Sequence, residues 1–401
     1  MTRAALPEEK VSALWWRIAI FAMFGGNGLA IGTWASRTPA TAEALDLGLA
    51  QMGVLITTIP LGAFLGLLAS SHVLEALGER RTAILAQLVG MFSFAGFGVI
   101  AVTTGNPFLG APLLVLYGVG ISVTNIVINL EAASSDRATG RTLMPLFHAA
   151  FSIGAVLGAA LGAVGSAIHL SIAIHFPIIA SVMIAVVLAV VRYLPELRES
   201  QSEPPSFAER MKVWVEPRTL LIGFIVLAAS FTEGTANNWL SLAMVTGRGW
   251  EPELGATSVT VFAAAMVVGR FGGGWFVDRF GRVAALRTAF ALAATGVLVV
   301  TLVDAQVATF AAVALWGLGA SLGYPLGISA AADDPRNAPA RVAAVATVAT
   351  ISGLLGPTVI GLLGEHFGLP QAFVAVAVLL VVALMVSGAA RPLKPAQTPP
   401  A

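Results

Sequence analysis

The chain has no cysteine, only three lysines, and only 11% charged side chains among its 401 residues. Without cysteine, disulfides, thiolate catalysis, iron–sulfur clusters and most structural zinc sites are excluded, and the redox compartment is unmarked. None of Lys10, Lys212 and Lys394 follows a glycine, so the phosphate-cradling loop of an ATP-driven machine is missing. A net charge of +1 with no basic stripe offers nothing to neutralise nucleic-acid phosphates. His169 and His175 flank a turn without a third ligand, so neither metal nor cofactor is expected. Charge this sparse cannot cover a soluble surface, where about 25% of residues are charged.

What is present is apolar: 57% hydrophobic residues and a mean hydropathy of +0.87. A hydrocarbon core about 30 Å thick takes roughly 20 apolar residues of helix. Twelve stretches reach that length: 14–36, 49–70, 83–104, 108–131, 143–165, 173–193, 218–242, 256–276, 285–303, 308–331, 342–364 and 371–390. The alternating pattern of a barrel is absent, which leaves an all-α membrane protein of twelve transmembrane helices. The first stretch follows a polar lead with Glu8, Glu9 and Lys10. It is too long for a signal peptide, so it reads as a retained helix.

With the N-terminus in the cytoplasm, one face collects 19 of the 22 basic residues; Arg37 and Arg248 lie opposite, and Arg270 lies within a span. That asymmetry predicts a multi-pass inner-membrane protein with both termini cytoplasmic. The longest polar interval, 194–217, reads as a cytoplasmic linker between 1–193 and 218–401.

Those two parts repeat. Leu116-Tyr-Gly-Val-Gly-Ile-Ser122 returns as Leu315-Trp-Gly-Leu-Gly-Ala-Ser321, 199 positions later (315 − 116). Arg141 and Ser152 return as Arg341 and Ser352, and Gly78 returns as Gly281, offsets of 200 and 203. Three matches in corresponding spans predict a 6+6 duplication with like-oriented halves.

Gly274-Trp-Phe-Val-Asp278-Arg279-Phe-Gly281-Arg282 carries the G-x-x-x-D-R-x-G-R signature, and a degenerate copy, Ser71, Glu75, Gly78, Arg80 and Arg81, follows span two. On these residues the sequence resembles the major facilitator superfamily. The resemblance implies two pseudo-symmetric six-helix bundles around a central cavity, lined mainly by spans one, four, seven and ten. It also implies alternating access, with spans two and eleven meeting across the halves. Gly274, Asp278, Arg279, Gly281, Arg282, Glu75, Arg80 and Arg81 are then expected to gate the cytoplasmic side, with Asp278 as a latch; a plain Arg-rich stop-transfer loop is the simpler alternative.

An ionisable group inside the bilayer needs a reason. Glu233 lies about 21 Å into span seven, at 1.5 Å per residue from residue 219. It shares a face with Asn237, four residues on, and is the first candidate for proton coupling; structural glue between helices is the alternative. Glu131 and His148 lie at similar depth in spans four and five, which permits a Glu–His pair, as a proton relay or as a surface ion pair. Arg270 in span eight is expected either to face His148 or a substrate anion, or to snorkel to the headgroups. Asn27, Trp34, Asn125, Asn129, Asn237, Asn238, Trp239, Trp316 and Tyr324 form an expected amide and aromatic lining. Such a lining suits a polyhydroxylated or mixed-polarity solute.

Gly154, Gly158 and Gly162 in span five and Gly353, Gly356 and Gly361 in span eleven are spaced for close helix packing. Gly319-Ala-Ser321-Leu-Gly323 mimics a nucleophile elbow but lies inside an apolar helix, so no enzyme is expected. The predicted function is proton-coupled secondary transport of a small organic solute, by a protein sufficient as a monomer in contact with lipid. Export of amphiphilic compounds by proton antiport is the alternative, and Leu114 and Ala159 depart from the drug-antiporter pattern of the same superfamily. A non-transporting membrane sensor is a third class.

Overall fold

The computed structural model describes residues 13–139, 143–194, 213–333 and 338–393. Most of the linker (195–212) and the Pro-rich tail lie outside the described residues. Among the described residues there is no strand. The helices are α1 Ala13–Ser36, α2 Thr38–Ala44, α3 Leu49–Thr104, α4 Pro107–Thr139, α5 Met144–Ala167, α6 Ile172–Val190 and α7 Pro217–Arg248. They continue as α8 Pro252–Phe280, α9 Arg282–Leu302, α10 Gln306–Ala331, α11 Ala338–Phe367, α12 Leu369–Ala372 and α13 Val374–Val386. From α4 to α11 the helix label equals the span number.

Among the described residues, eleven helices are long and apolar enough to cross a membrane. The twelfth crossing is hidden in α3, whose 56 residues are broken at Gly78, φ 75° and ψ 166°. Gly281, which precedes α9, has nearly the same backbone, φ 83° and ψ 161°. A side chain would strain the chain there, so glycine is required at both turns. The duplication therefore extends from sequence into backbone geometry. Twelve spans form an all-helical membrane fold; most ends named from hydropathy agree with the helices to within four residues, while spans two, four and seven run six to eight residues longer than hydropathy marked.

The chain divides into two compact units: residues 1–200, 235–267 and 354–372, and residues 201–234, 268–353 and 373–401. In the first unit α1 and α5 approach backbone to backbone. A Cβ on Gly154 would overlap the Gly25 carbonyl, one on Gly158 that of Leu29, and one on Gly28 that of Phe151. Gly361 of α11 likewise meets the Leu49 carbonyl and Gly53 of α3, and Thr57 and Thr358 share a hydrogen bond of 2.9 Å across the same contact. The span-five stripe and Gly361 are thus packing contacts, where small side chains let helix backbones meet. Outside, large apolar side chains face outward, Phe108 at 85% and Val307 at 83% exposure among them. Acyl chains rather than water suit such a surface.

Candidate functional site: intramembrane polar groups and the Gly281 turn

The first unit gathers amides from three helices. Asn27 on α1 is fully buried, and its Nδ2 donates to Asn125 Oδ1 on α4 at 3.2 Å. Asn129, one turn further along α4, donates to the Asn125 carbonyl at 2.7 Å. Trp34 donates through Nε1 to Asn238 Oδ1 on α7 at 3.4 Å, and Ser241 reaches the Ser36 carbonyl at 3.2 Å. Trp34 lies edge-on to Phe97, 5.8 Å between centroids. Trp239 is buried against Gly361, and its indole N–H has no acceptor among the described residues. Asn237 is half-buried on the same helix.

The Arg37 end of this unit holds a cavity of about 790 Å³ whose lining includes Arg37, Glu43, Asp46, Ser166 and His169. Arg37 is 3% exposed; one guanidinium nitrogen donates to Ser166 Oγ at 2.8 Å and another to the Leu170 carbonyl.

In the second unit Glu233 Oε1 lies 3.6 Å from Arg270 Nη2 of α8. Both side chains are about one-third exposed, 28% and 31%. Sequence depth placed each of them correctly inside a span but did not join them. Trp316 is fully buried and meets Phe373 edge-on at 5.4 Å, so it acts as packing, whereas Tyr324 is 41% exposed.

Glu131 is also brought to unexpected partners. It accepts from Trp16 Nε1 at 2.7 Å, with the acidic side chain of Glu79 nearby. His148 packs edge-on to Phe24, 5.1 Å between centroids. Equal depth had suggested a Glu131–His148 pair; depth fixes a residue's height along its helix and leaves its direction around the axis open.

At the Gly281 turn, Arg282 clamps Asp333 with two parallel bonds of 2.9 Å, Nη1 to Oδ2 and Nη2 to Oδ1. Arg218, at the start of α7, adds a third at 2.7 Å. The same guanidinium groups donate to the carbonyls of Ala389, Ala390 and Arg391, so one carboxylate ties together the ends of α7, α9, α10 and the last span. Burial alone would push the Asp333 carboxyl up, but the hydrogen bonds and charges of Arg282 and Arg218 hold it below its ordinary value. Arg341 makes a second clamp on Glu216, 2.6 and 3.1 Å. Asp278 and Arg279 are exposed, and neither has a hydrogen bond or ion pair among the described residues. Glu75 and Arg81 are exposed and Arg80 half-buried; a Cβ on Gly274 would meet nothing within 4 Å. Sequence reasoning missed Asp333: it sits in a short polar loop, and only the proximity of three helix ends singles it out.

A duplicated twelve-span bundle with buried amides and an intramembrane ion pair defines a membrane transport protein rather than an enzyme. The pattern of the Major Facilitator Superfamily matches residues 18–338 and 222–401, and the chain belongs to that superfamily. It is 30% identical over 353 residues to an uncharacterised transporter of Sinorhizobium fredii, covering 87% of this chain and 91% of that one. It is 28% identical over 357 residues to an uncharacterised MFS-type transporter of Yersinia pestis, covering 88% and 90%. In fold it is similar to a bacterial homologue of the human lysosomal transporter Spinster, with a TM-score of 0.78 and 14% identity, covering 97% and 100%.

Proposed function

We propose that the chain is a proton-coupled secondary transporter that moves a small polar organic solute, sugar-like or similar, across the inner membrane by alternating access. The observation that carries this reading is the Glu233–Arg270 contact of 3.6 Å. A carboxylate next to a guanidinium is held while ionised; a proton on Glu233 removes the attraction and releases Arg270. Protonation thereby changes which arrangement of α7 and α8 is favoured, which is what coupling requires. The solute is held by the amides Asn27, Asn125, Asn129, Asn237 and Asn238, with Trp34, Trp239 and Tyr324 as aromatic walls and Trp316 packed behind them. His148 is a further protonatable group of the N-terminal half.

The halves 1–193 and 218–401 act as the moving bodies, with both termini cytoplasmic and the monomer sufficient. The basic-residue asymmetry supports that orientation, since it places the Gly78 and Gly281 turns in the cytoplasm and Arg37 outside. The signature residues around Gly281 gate the cytoplasmic side, with the Arg282–Asp333 clamp as the element that fastens it. The test is uptake into proteoliposomes under an imposed pH gradient. Solute accumulation that follows the gradient, and collapses with a protonophore, supports the reading; gradient-independent equilibration contradicts it.

A further inference from the structure

The first turn of α3 begins without a side-chain cap of its own. Its N-cap residue is Gly48, at φ −66° and ψ 165°, and glycine has no side chain to accept from the free N–H groups of that turn. Gln51 Oε1 reaches back to the Gly48 N–H at 3.1 Å, one half of a capping box. The acceptor that Gly48 cannot supply comes from 315 residues away: Glu365 of α11 accepts from the Ala50 N–H at 3.2 Å through Oε2. Its two carboxylate oxygens lie 3.5 and 3.7 Å from where a Gly48 Cβ would stand, so Glu365 fills the place of an N-cap side chain.

Glu365 also stands at the end of a seam. Four residues before it, Gly361 leaves no room for a Cβ against the Leu49 carbonyl and Gly53. Three residues before that, Thr358 shares its 2.9 Å bond with Thr57. Residues 358, 361 and 365 thus form one face of α11, and residues 49, 53 and 57 the facing stripe of α3. The glycine contacts and the threonine pair carry no charge. Glu365 adds one, set against the positive end of a helix dipole. Its side chain is exposed, so the contact can exchange with water at small cost.

We infer that Glu365 is a positioning residue for transport: a helix cap supplied to α3 by α11, which holds the seam shut on the Arg37 side and is given up when that side opens. On release the Ala50 N–H and the carboxylate both pass to water, and the glycine and threonine contacts separate without stranding a charge. The purpose of the cap rests on the alternating-access reading. Its existence as a fastening does not, and the test reads opening itself.

The absence of cysteine makes that test clean. Ser241→Cys places a single thiol at the neighbouring contact of α7 with α1, where the serine is fully buried and its hydroxyl reaches the Ser36 carbonyl at 3.2 Å. In the purified full-length protein, N-ethylmaleimide reaches this thiol only while the Arg37 side is open. Glu365→Ala is expected to speed the labelling about two- to fivefold, the range for a charge at a helix end. Glu365→Gln, which keeps an acceptor without the charge, is expected to give an intermediate rate, and it decides alone if the alanine variant does not fold. Ser387→Cys, fully buried in the other unit, is the control and is expected to keep its rate. An unchanged rate at Ser241→Cys overturns the proposal, as does an equal acceleration at Ser387→Cys, which would mark general loosening. Neither solute nor proton gradient is present, so failure here leaves the Glu233 reading untouched.

Discussion

Glu233 on α7 and Arg270 on α8 face one another at 3.6 Å between Oε1 and Nη2. Each residue alone would be costly in a membrane span, and together they offset one another's charge. The contact is too long for a tight bidentate clamp and both groups are about one-third exposed. It is weak enough to open and close, unlike the Arg282–Asp333 clamp with its two bonds of 2.9 Å.

Arg270→Gln leaves the Glu233 carboxylate without its cation. Gradient-driven accumulation is expected to fall to background, while Arg270→Lys keeps the charge and a measurable part of the transport. Equal loss in both variants, measured as initial uptake rates in proteoliposomes, would point to guanidinium geometry rather than charge.

Asn125→Ala removes the side-chain partner of Asn27. The expected effect is about a tenfold weaker half-saturating solute concentration in counterflow, which corresponds to about 1.4 kcal/mol. The bond between Asn129 and the residue 125 carbonyl survives, because it uses backbone.

Gly158→Leu drives a side chain into the Leu29 backbone of α1. Overpacking of this kind costs about 1–3 kcal/mol, read as a lower unfolding temperature in detergent. Gly274→Ala is the control: open space surrounds its Cβ position, so the unfolding temperature is expected to stay put, whatever becomes of transport.

Asp333 gives a pH dependence with a definite sign. Its carboxyl is held below its ordinary value in the folded protein. The corresponding stability is present above the unfolded value of about 4 and is lost as pH falls through the lower folded value. Thermal unfolding against pH is expected to show a decline on acidification that is smaller in Asp333→Asn. That variant also loses about 1–3 kcal/mol near neutrality, through its charged hydrogen bonds.

The twelve spans were legible because length and apolarity alone specify a membrane helix, and the Gly78 and Gly281 turns because a glycine-only backbone leaves a glycine in both repeats. The spacing of Gly154, Gly158 and Gly162 announced a close face, though not that α1 would fill it. Direction around a helix axis was not legible. Glu131 and His148 share a depth, yet Glu131 turns toward Trp16 and Glu79. Arg270 was placed at the right height without its partner. Asp333 carried no signal beyond a polar loop, since its role comes from three helix ends that are distant in sequence.

The coupling proposal rests first on Glu233, so the most direct test is Glu233→Gln reconstituted in proteoliposomes. The variant keeps the shape and loses the titration. It is expected to abolish accumulation driven by a pH gradient and to retain counterflow exchange of the same solute. Accumulation that still follows the gradient in the variant would contradict the account.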